Sequence, residues 1–224
     1  METKAPGAAG PRTTDPGTGL RERKKRRTHD ALLRAALELF TSQGYEETTV
    51  DEIAEAVDVS QRTFFRYFAG KEEAALALVE MTVERFVEAV RARPPHEPPM
   101  EALRQAVLEG WYSINQVVES VVPIELHLRM YRVIESTPVL LAAHLRRSVE
   151  REEEVARVLA EREGLDVDTD PRPRVAVAVF GGVMRVTERQ WSLGEDFSVS
   201  GIHALTSRYL DQVGPALLGS WRTA

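Results

Sequence analysis

The sequence predicts an all-α protein of about nine helices, a three-helix helix-turn-helix unit followed by a larger helical domain. Apolar residues recur at helical spacing over most of the chain beyond residue 28. Pro123, Pro138 and Pro171 each stand where a helix would begin, a position at which a missing N–H costs little. No segment shows sustained period-two alternation closed by turn dipeptides. The 224 residues allow one or two domains.

The elements follow in order. Residues 1–20 are rich in Gly, Pro, Thr and Ala and read as a disordered arm. A basic run occupies 21–27. Thr28 is read as the N-cap of a first helix carrying Leu32, Leu33, Ala36, Leu37 and Phe40, and Gly44 as its stop. Thr49-Val50-Asp51-Glu52 fits a capping box, which opens a second helix with Ile53, Ala54 and Val57 inward. Asp58-Val59-Ser60 makes the turn, and Ser60 caps a third helix from Gln61 to Phe68. Ala69-Gly70 breaks it, and a fourth helix runs from Lys71 to about Arg93. The stretch RPPHEPP at 93–99 cannot be helical and is the clearest internal boundary. Five further helices are expected at about 100–119, 123–136, 138–163, 171–193 and 198–218. The domains are then the arm 1–20, a DNA-binding unit 21–72 and a helical domain 73–224.

Composition bounds the function. Hydrophobic residues at 43% and charged residues at 29% fit an ordinary globular chain. The absence of cysteine excludes disulfide scaffolds, zinc ribbons, iron–sulfur sites and cysteine nucleophiles. No run approaches 18 apolar residues, and no apolar core follows the basic run, so neither a membrane span nor a secretory signal is expected. The expected location is the cytoplasm. Net charge is −6, which argues mildly against nucleic acid. Its distribution argues the other way. Arg21, Arg23, Lys24, Lys25, Arg26 and Arg27 crowd together against Glu22 alone, and Arg62, Arg66 and Lys71 follow with no acid between them.

The third helix carries the chemistry. In QRTFFRYF, Phe64 and Phe68 are four apart and face the core. Gln61, Arg62, Thr63, Phe65, Arg66 and Tyr67 are left pointing partly or wholly outward. An ordinary solvated face carries Glu and Lys; this one has two arginines, an amide, a hydroxyl, a phenol and no acid. Those groups suit a major groove: Arg pairs with guanine O6 and N7, Gln with adenine N6 and N7, and Thr or an aromatic edge meets the thymine methyl. Lys71 and the helix N-termini at Thr49 and Lys71 are expected on phosphates. Arg26, Arg27 and Thr28 are expected at the duplex with the basic run, and Ser60 with the start of the reading helix. Ion pairing of Arg62 and Arg66 with neighbouring glutamates is the alternative, and Tyr45 is read as packing.

The stretch 48–73, TTVDEIAEAVDVSQRTFFRYFAGKEE, resembles the TetR family of one-component bacterial transcriptional regulators. Phe40-Thr41-Ser42-Gln43-Gly44-Tyr45 matches the end of that family's first helix. The departures are Asp58 where glycine is usual, Gly70 where a capping side chain is common, and Ala74 near the usual leucine. The resemblance covers about residues 28–76. It implies a homodimer that binds a double-stranded operator and is often released by a small-molecule effector.

Further roles rest on the resemblance. The last two helices would form a four-helix bundle across a dimer, with Val175, Val179, Gly182 and Val186 on one stripe and Ile202, Leu205, Tyr209 and Val213 on the other. Both stripes fit a monomer core as well. An effector cavity is implied among the central helices, with Phe86, Trp111, Tyr112, Asn115, His127, Met130, Tyr131, Phe180 and Met184 as candidate lining; ordinary core packing is the competing reading for each. The aromatic and methionine content points to a largely apolar molecule: an acyl thioester, a drug-like amphiphile or a lipid-derived signal.

No cofactor, metal site or catalytic constellation is expected. Asp166, Asp168 and Asp170 mimic the start of a calcium loop, but Pro171 and Val177 stand where glycine and glutamate are required. Asp170 is read instead as a helix cap. Two other functions are weighed: a ligand-independent architectural or cell-division DNA-binding protein, and a helical enzyme, for which only the central aromatics speak.

Overall fold

The computed structural model describes residues 16–218, apart from the side chains of 16–18, 114–117, 215 and 218. Residues 1–15, most of the expected arm, lie outside that range. Among the described residues every regular element is helical. They are α1 (Pro16–Ser42), α2 (Val50–Glu55), α3 (Gln61–Phe64), α4 (Lys71–Ala92), α5 (Pro99–Glu119), α6 (Ile124–Ser136), α7 (Pro138–Glu163), α8 (Arg172–Leu193), α9 (Val199–Leu210) and α10 (Val213–Leu218).

Three boundaries differ from expectation, one of them the end of α3 at Phe64 rather than Phe68. Helix α1 begins at Pro16, so the basic run is helical and Thr28 is no N-cap. The Thr28 hydroxyl donates to the Lys24 carbonyl at 3.1 Å, the back-bond of a threonine inside a helix. Arg, Lys and Glu have long unbranched stems and propagate a helix readily, so the turn at Thr28 needed no new start. The last expected segment is interrupted at Asp211-Gln212 and resumes as α10.

Helix α2 packs on α1 and α3, and α1 packs on α4 and α6. Beyond them α4 is flanked by α5 and α7, α7 by α8, and α8 by α9, which returns to α5. One apolar core joins Leu32, Leu37 and Phe40 of α1 and Phe64 of α3 to Leu76 and Leu78 of α4 and to Leu126, Met130 and Ile134 of α6. The helix-turn-helix segment and the helices that follow therefore share packing, with α4 as the common element. A second core gathers Val87, Val90, Leu103, Leu159, Phe180 and Leu210 at the far end. Helices α4 and α7 are also tied by charge: Glu72 to Arg147 at 3.3 Å, Glu80 to Arg147 at 3.6 Å and Glu80 to Arg151 at 2.9 Å.

Where α7 ends, Gly164 sits in the left-handed region at φ 65°, a conformation that a Cβ disfavours. The Asp170 carboxylate then accepts from Arg172 N at 3.0 Å, but the cap position of α8 is Pro171, one residue beyond the Asp170 cap read from the sequence. Among the described residues no group of three or more His, Asp or Glu is arranged to hold a metal ion. None of the helices is long and apolar enough to cross a membrane.

Candidate nucleic-acid interface and ligand cavity

The helix-turn-helix is built from two capped turns. Glu52 N donates to Thr49 Oγ1 at 3.2 Å and Thr49 N donates to Glu52 Oε2 at 2.7 Å, completing the expected capping box. The bond from Thr49 N, with a second from Thr49 Oγ1 at 2.9 Å, holds the Glu52 carboxyl below its usual range. Asp58 turns the chain at φ 54°, the left-handed conformation for which glycine is the easy residue; Asp is among the few others that tolerate it. Ser60 Oγ then accepts from Thr63 N at 3.2 Å and opens α3. Regular α-helix ends at Phe64, and Arg66 N to Thr63 O and Tyr67 N to Phe64 O close tighter i,i+3 turns up to Phe68.

Phe64 and Phe68 are buried, 5.5 Å apart between ring centroids. Gln61, Arg62, Phe65 and Arg66 are exposed, and Thr63 and Tyr67 are half-buried. Phe65 is 50% exposed, too much for a core residue. Among the described residues neither Arg62 nor Arg66 has a carboxylate partner. Arg66 lies over the Tyr67 ring at 5.1 Å instead. Two guanidinium groups, an amide and an aromatic edge are thus exposed on one short helix, and at its start Gln61 borders a groove lined by Asp51, Glu55 and Asp58. Arg26 and Arg27 are exposed on α1 with the rest of the basic run.

Lys71 corrects a sequence expectation. Its ammonium donates to the carbonyls of Thr48 at 2.6 Å and Tyr45 at 2.9 Å, and lies 4.6 Å from the Tyr45 ring centroid. It binds the α1–α2 loop rather than standing free for a phosphate. The N-terminus of α4 above it carries no side-chain cap at Gly70. Tyr45 packs on Phe40 at 5.2 Å, as read. Sequence reasoning missed His29. Its ring lies 5.0 Å from Phe68 and 6.2 Å from Tyr67, so α1 braces the end of the reading turn. A histidine at helical spacing on an otherwise apolar face was the available signal.

A cavity of about 430 Å³ opens among α4, α5, α6, α7 and α8. Phe86, Trp111, Tyr131, Phe180 and Met184 are among the residues that line it. Phe86 and Phe180 form one wall, parallel rings with centroids 5.5 Å apart. Three other candidates are corrected. His127 and Met130 are buried behind the lining, in the core shared with α1. Tyr112 is 68% exposed and its ring lies tilted against His203, centroids 4.4 Å apart. The side chain of Asn115 lies outside the described residues.

The cavity also holds polar groups the sequence did not disclose. Glu188 lines it with 20% of its side chain accessible, and His144 Nε2 is 4.0 Å from its carboxylate. Burial pushes the Glu188 carboxyl up to about 7; Glu135 adds to this and Arg185 opposes it. Burial pushes His144 down and Tyr131 up, each toward its neutral form. The Trp111 Nε1 is buried without a hydrogen-bond partner. Arg151 and Glu80 line this cavity and also a second groove that reaches Tyr67 and Phe68.

On the outer side, α8 exposes Val175 at 59% and Val186 at 50%, with Val179 and Gly182 half-buried between them. The other stripe differs. Ile202 is fully buried in its own protomer, in the core that contains Trp191, and offers nothing to a partner. Leu205, Tyr209 and Val213 are half-buried. Thr206 and Leu210 beside them face inward, so much of this stripe completes the monomer.

Residues 32–78 match the family model described as bacterial regulatory proteins, tetR family, and residues 97–217 match the MftR C-terminal domain. The HTH-type transcriptional regulator TcmR of Streptomyces glaucescens is 47% identical over 211 residues, covering 94% of this chain and 93% of that protein. The Pseudomonas aeruginosa protein NalD, secondary repressor of the MexAB-OprM multidrug efflux pump, shares the fold at a TM-score of 0.60 and 18% identity, covering 88% of this chain and all, 100%, of that one. SmeT in complex with triclosan gives the same TM-score of 0.60 at 15% identity over 85% of this chain and 91% of that one.

Proposed function

The chain belongs to the TetR family of bacterial regulatory proteins, DNA-binding transcriptional regulators rather than enzymes, and from that premise we propose that it is a homodimeric, ligand-released repressor. It acts in the cytoplasm on a near-palindromic operator. The observation that carries the reading is the outer surface of α3, where Gln61, Arg62, Phe65 and Arg66 are exposed together and neither arginine is paired with a carboxylate among the described residues. In a dimer the two reading helices enter successive major grooves, about 34–36 Å apart or a multiple of that.

The effector site is the cavity against α4. A molecule there touches Val79, Val83 and Phe86 of α4 and, through Arg147 and Arg151, the ion pairs that join α4 to α7. Helix α4 begins at Lys71, whose ammonium grips the helix-turn-helix. Movement of α4 therefore reaches the loop before α2, and through α2 the helix α3 packed on it. An effector acts only so far as it binds the released and DNA-bound conformations unequally.

Support for the dimer is the apolar face of α8. At Gly182 an added Cβ would meet nothing nearer than 3.9 Å within the protomer, so the glycine answers no crowding of its own chain. Close approach of a second backbone is the remaining physical use for it.

The test is a salt titration of binding to fragments around the protein's own gene. One fragment retained at physiological salt, and weakened by Arg66→Ala by about 1–3 kcal/mol, supports a base-reading regulator. Equal loss from all fragments as salt rises would leave only phosphate attraction and sink the reading.

A further inference from the structure

Helices α7 and α8 run antiparallel along one seam. It is held by His144 to Glu188 at 4.0 Å, Glu152 to Arg185 at 2.5 Å and Glu153 to Arg174 at 2.7 Å. At Gly181 an added Cβ would run into the Glu152 carboxylate, so that glycine serves the seam. Outside the seam these two helices carry most of the apolar surface that the fold leaves bare. Ten large hydrophobic residues are exposed among the described ones, and six of them lie here: Val139, Leu145 and Val149 on α7, and Val175, Val186 and Leu193 on α8. Leu145, Val149 and Glu152 fall on one row of α7 at i, i+4 and i+7, and Glu152 bonds to α8. The two apolar residues of that row, Val149 64% and Leu145 40% exposed, therefore stand on the edge of α7 that borders α8. Positions 175, 182, 186 and 193 likewise share one face of α8. Helix α9, the other neighbour of α8, contributes none of the ten. Its exposed positions are Ser200, Ala204 and Arg208.

We propose that a second copy of this chain docks on the α7–α8 face, with Leu145 and Val149 of α7 inside the interface beside Gly182 and Val186 of α8, and with α9 outside it. The inference rests on the reading of the chain as a homodimer. It departs from the bundle of the last two helices that the family resemblance implies. Area supplies the argument. A helix presents a strip about 10 Å wide, and the 22 residues of α8 make that strip about 33 Å long. The product, about 330 Å², is under half of the roughly 800 Å² that each partner buries in a standard interface. A neighbouring helix must supply the rest. Helix α7, with 26 residues, brings bare apolar side chains to the shared edge, while Ile202 and Leu210 of α9 are spent inside the protomer. A twofold axis sets the same patch on both partners, so every apolar residue of the face is buried twice. Helix α7 also holds Glu80 of α4 through Arg147 and Arg151, both of which line the cavity. The partner thus rests on a helix that the cavity and α4 already share.

The experiment is sedimentation equilibrium of the full chain carrying one glutamate at a time. All three positions used are exposed, so folding should hold by circular dichroism. Leu145→Glu and Val149→Glu should each weaken the dimer by about tenfold or more, because the twofold axis buries two new carboxylates. Ala204→Glu on α9 should leave it unchanged. A second readout needs no disruption. The chain has no cysteine, so Val149→Cys and Ala204→Cys each offer a single thiol. The thiol at 149 should be shielded from a maleimide when the protein is concentrated and become reactive on dilution. The thiol at 204 should react equally in both. A dimer indifferent to both α7 glutamates, or one whose thiol at 149 stays reactive, would overturn the α7–α8 face and leave the homodimer standing. Dissociation by Ala204→Glu would overturn the exclusion of α9. A wild-type chain that is monomeric at every concentration would overturn the face and the homodimer together.

Discussion

The Lys71 ammonium lies 2.6 Å from the carbonyl oxygen of Thr48, and so the first residue of α4 holds the loop that precedes α2. This cation resembles a phosphate ligand in sequence because it stands beside a basic reading helix. In the fold its donors are spent on backbone oxygens. Lys71→Met should then lower stability by about 1–2 kcal/mol in urea unfolding, by leaving those oxygens unpaired. The salt slope of DNA binding by the folded variant should stay unchanged. Arg66→Ala should do the reverse, with stability kept and operator affinity lost. A salt slope reduced by about one in Lys71→Met would restore the phosphate role.

The basic run lies on α1 rather than on an extended arm. Side chains on a helix repeat every 3.6 residues, so they cannot all meet one phosphate backbone. Arg26→Ala and Arg27→Ala should each reduce the log–log salt slope by about one if that residue touches a phosphate. Because the run surrounds the helix, the two are not expected to behave alike. Specificity among fragments should be untouched in both. A change in fragment preference would mean that the helix reads bases or groove shape.

Dimerisation separates the two stripes proposed for it. Val175→Glu and Val186→Glu place charge on an exposed face and should convert the proposed dimer to monomer by light scattering, with monomer helicity retained. Ile202→Glu buries an unpaired carboxylate in the protomer and should unfold it, whatever the oligomeric state. A dimer that survives both α8 substitutions would place the interface elsewhere.

The sequence made the DNA-binding unit legible because its signals are local. The capping box at Thr49, the Ser60 cap and the inward pair Phe64 and Phe68 depend on neighbours within four residues. The cavity was half legible. Aromatic residues at helical spacing mark a large apolar space, but spacing alone does not say which of His127, Tyr131 or Tyr112 faces it; helix rotation in the packed bundle decides that. Glu188 gave no signal. A glutamate within a long helix reads as solvated, and only the approach of α6 and α7 buries it. Lys71 failed for a similar reason, its partners being carbonyls more than twenty residues away, Thr48 at a separation of 23.

That burial of Glu188 has a pH signature. Its carboxyl is raised from 4.5 to about 7 in the fold. An acid raised by folding binds more protons in the native than in the unfolded state between those two values. Stability therefore falls as pH rises through that window and stays reduced above it. The groups that act on it are Glu135 and Tyr131 from α6, His144 from α7 and Arg185 on its own helix, while Glu80 and Arg147 act on His144. His144, depressed by burial, acts with the opposite sign: its contribution is lost as pH falls below about 6.5. Comparing Glu188→Gln with the wild type at each pH cancels that background. The variant should gain stability over the wild type at pH 8 and lose most of that gain by pH 5. At about 1.4 kcal/mol per pH unit between the two pKa values, the gain is bounded at a few kcal/mol. Urea midpoints at both pH values measure it, and an equal gain at both would show that packing, not the proton, sets the cost of this carboxyl.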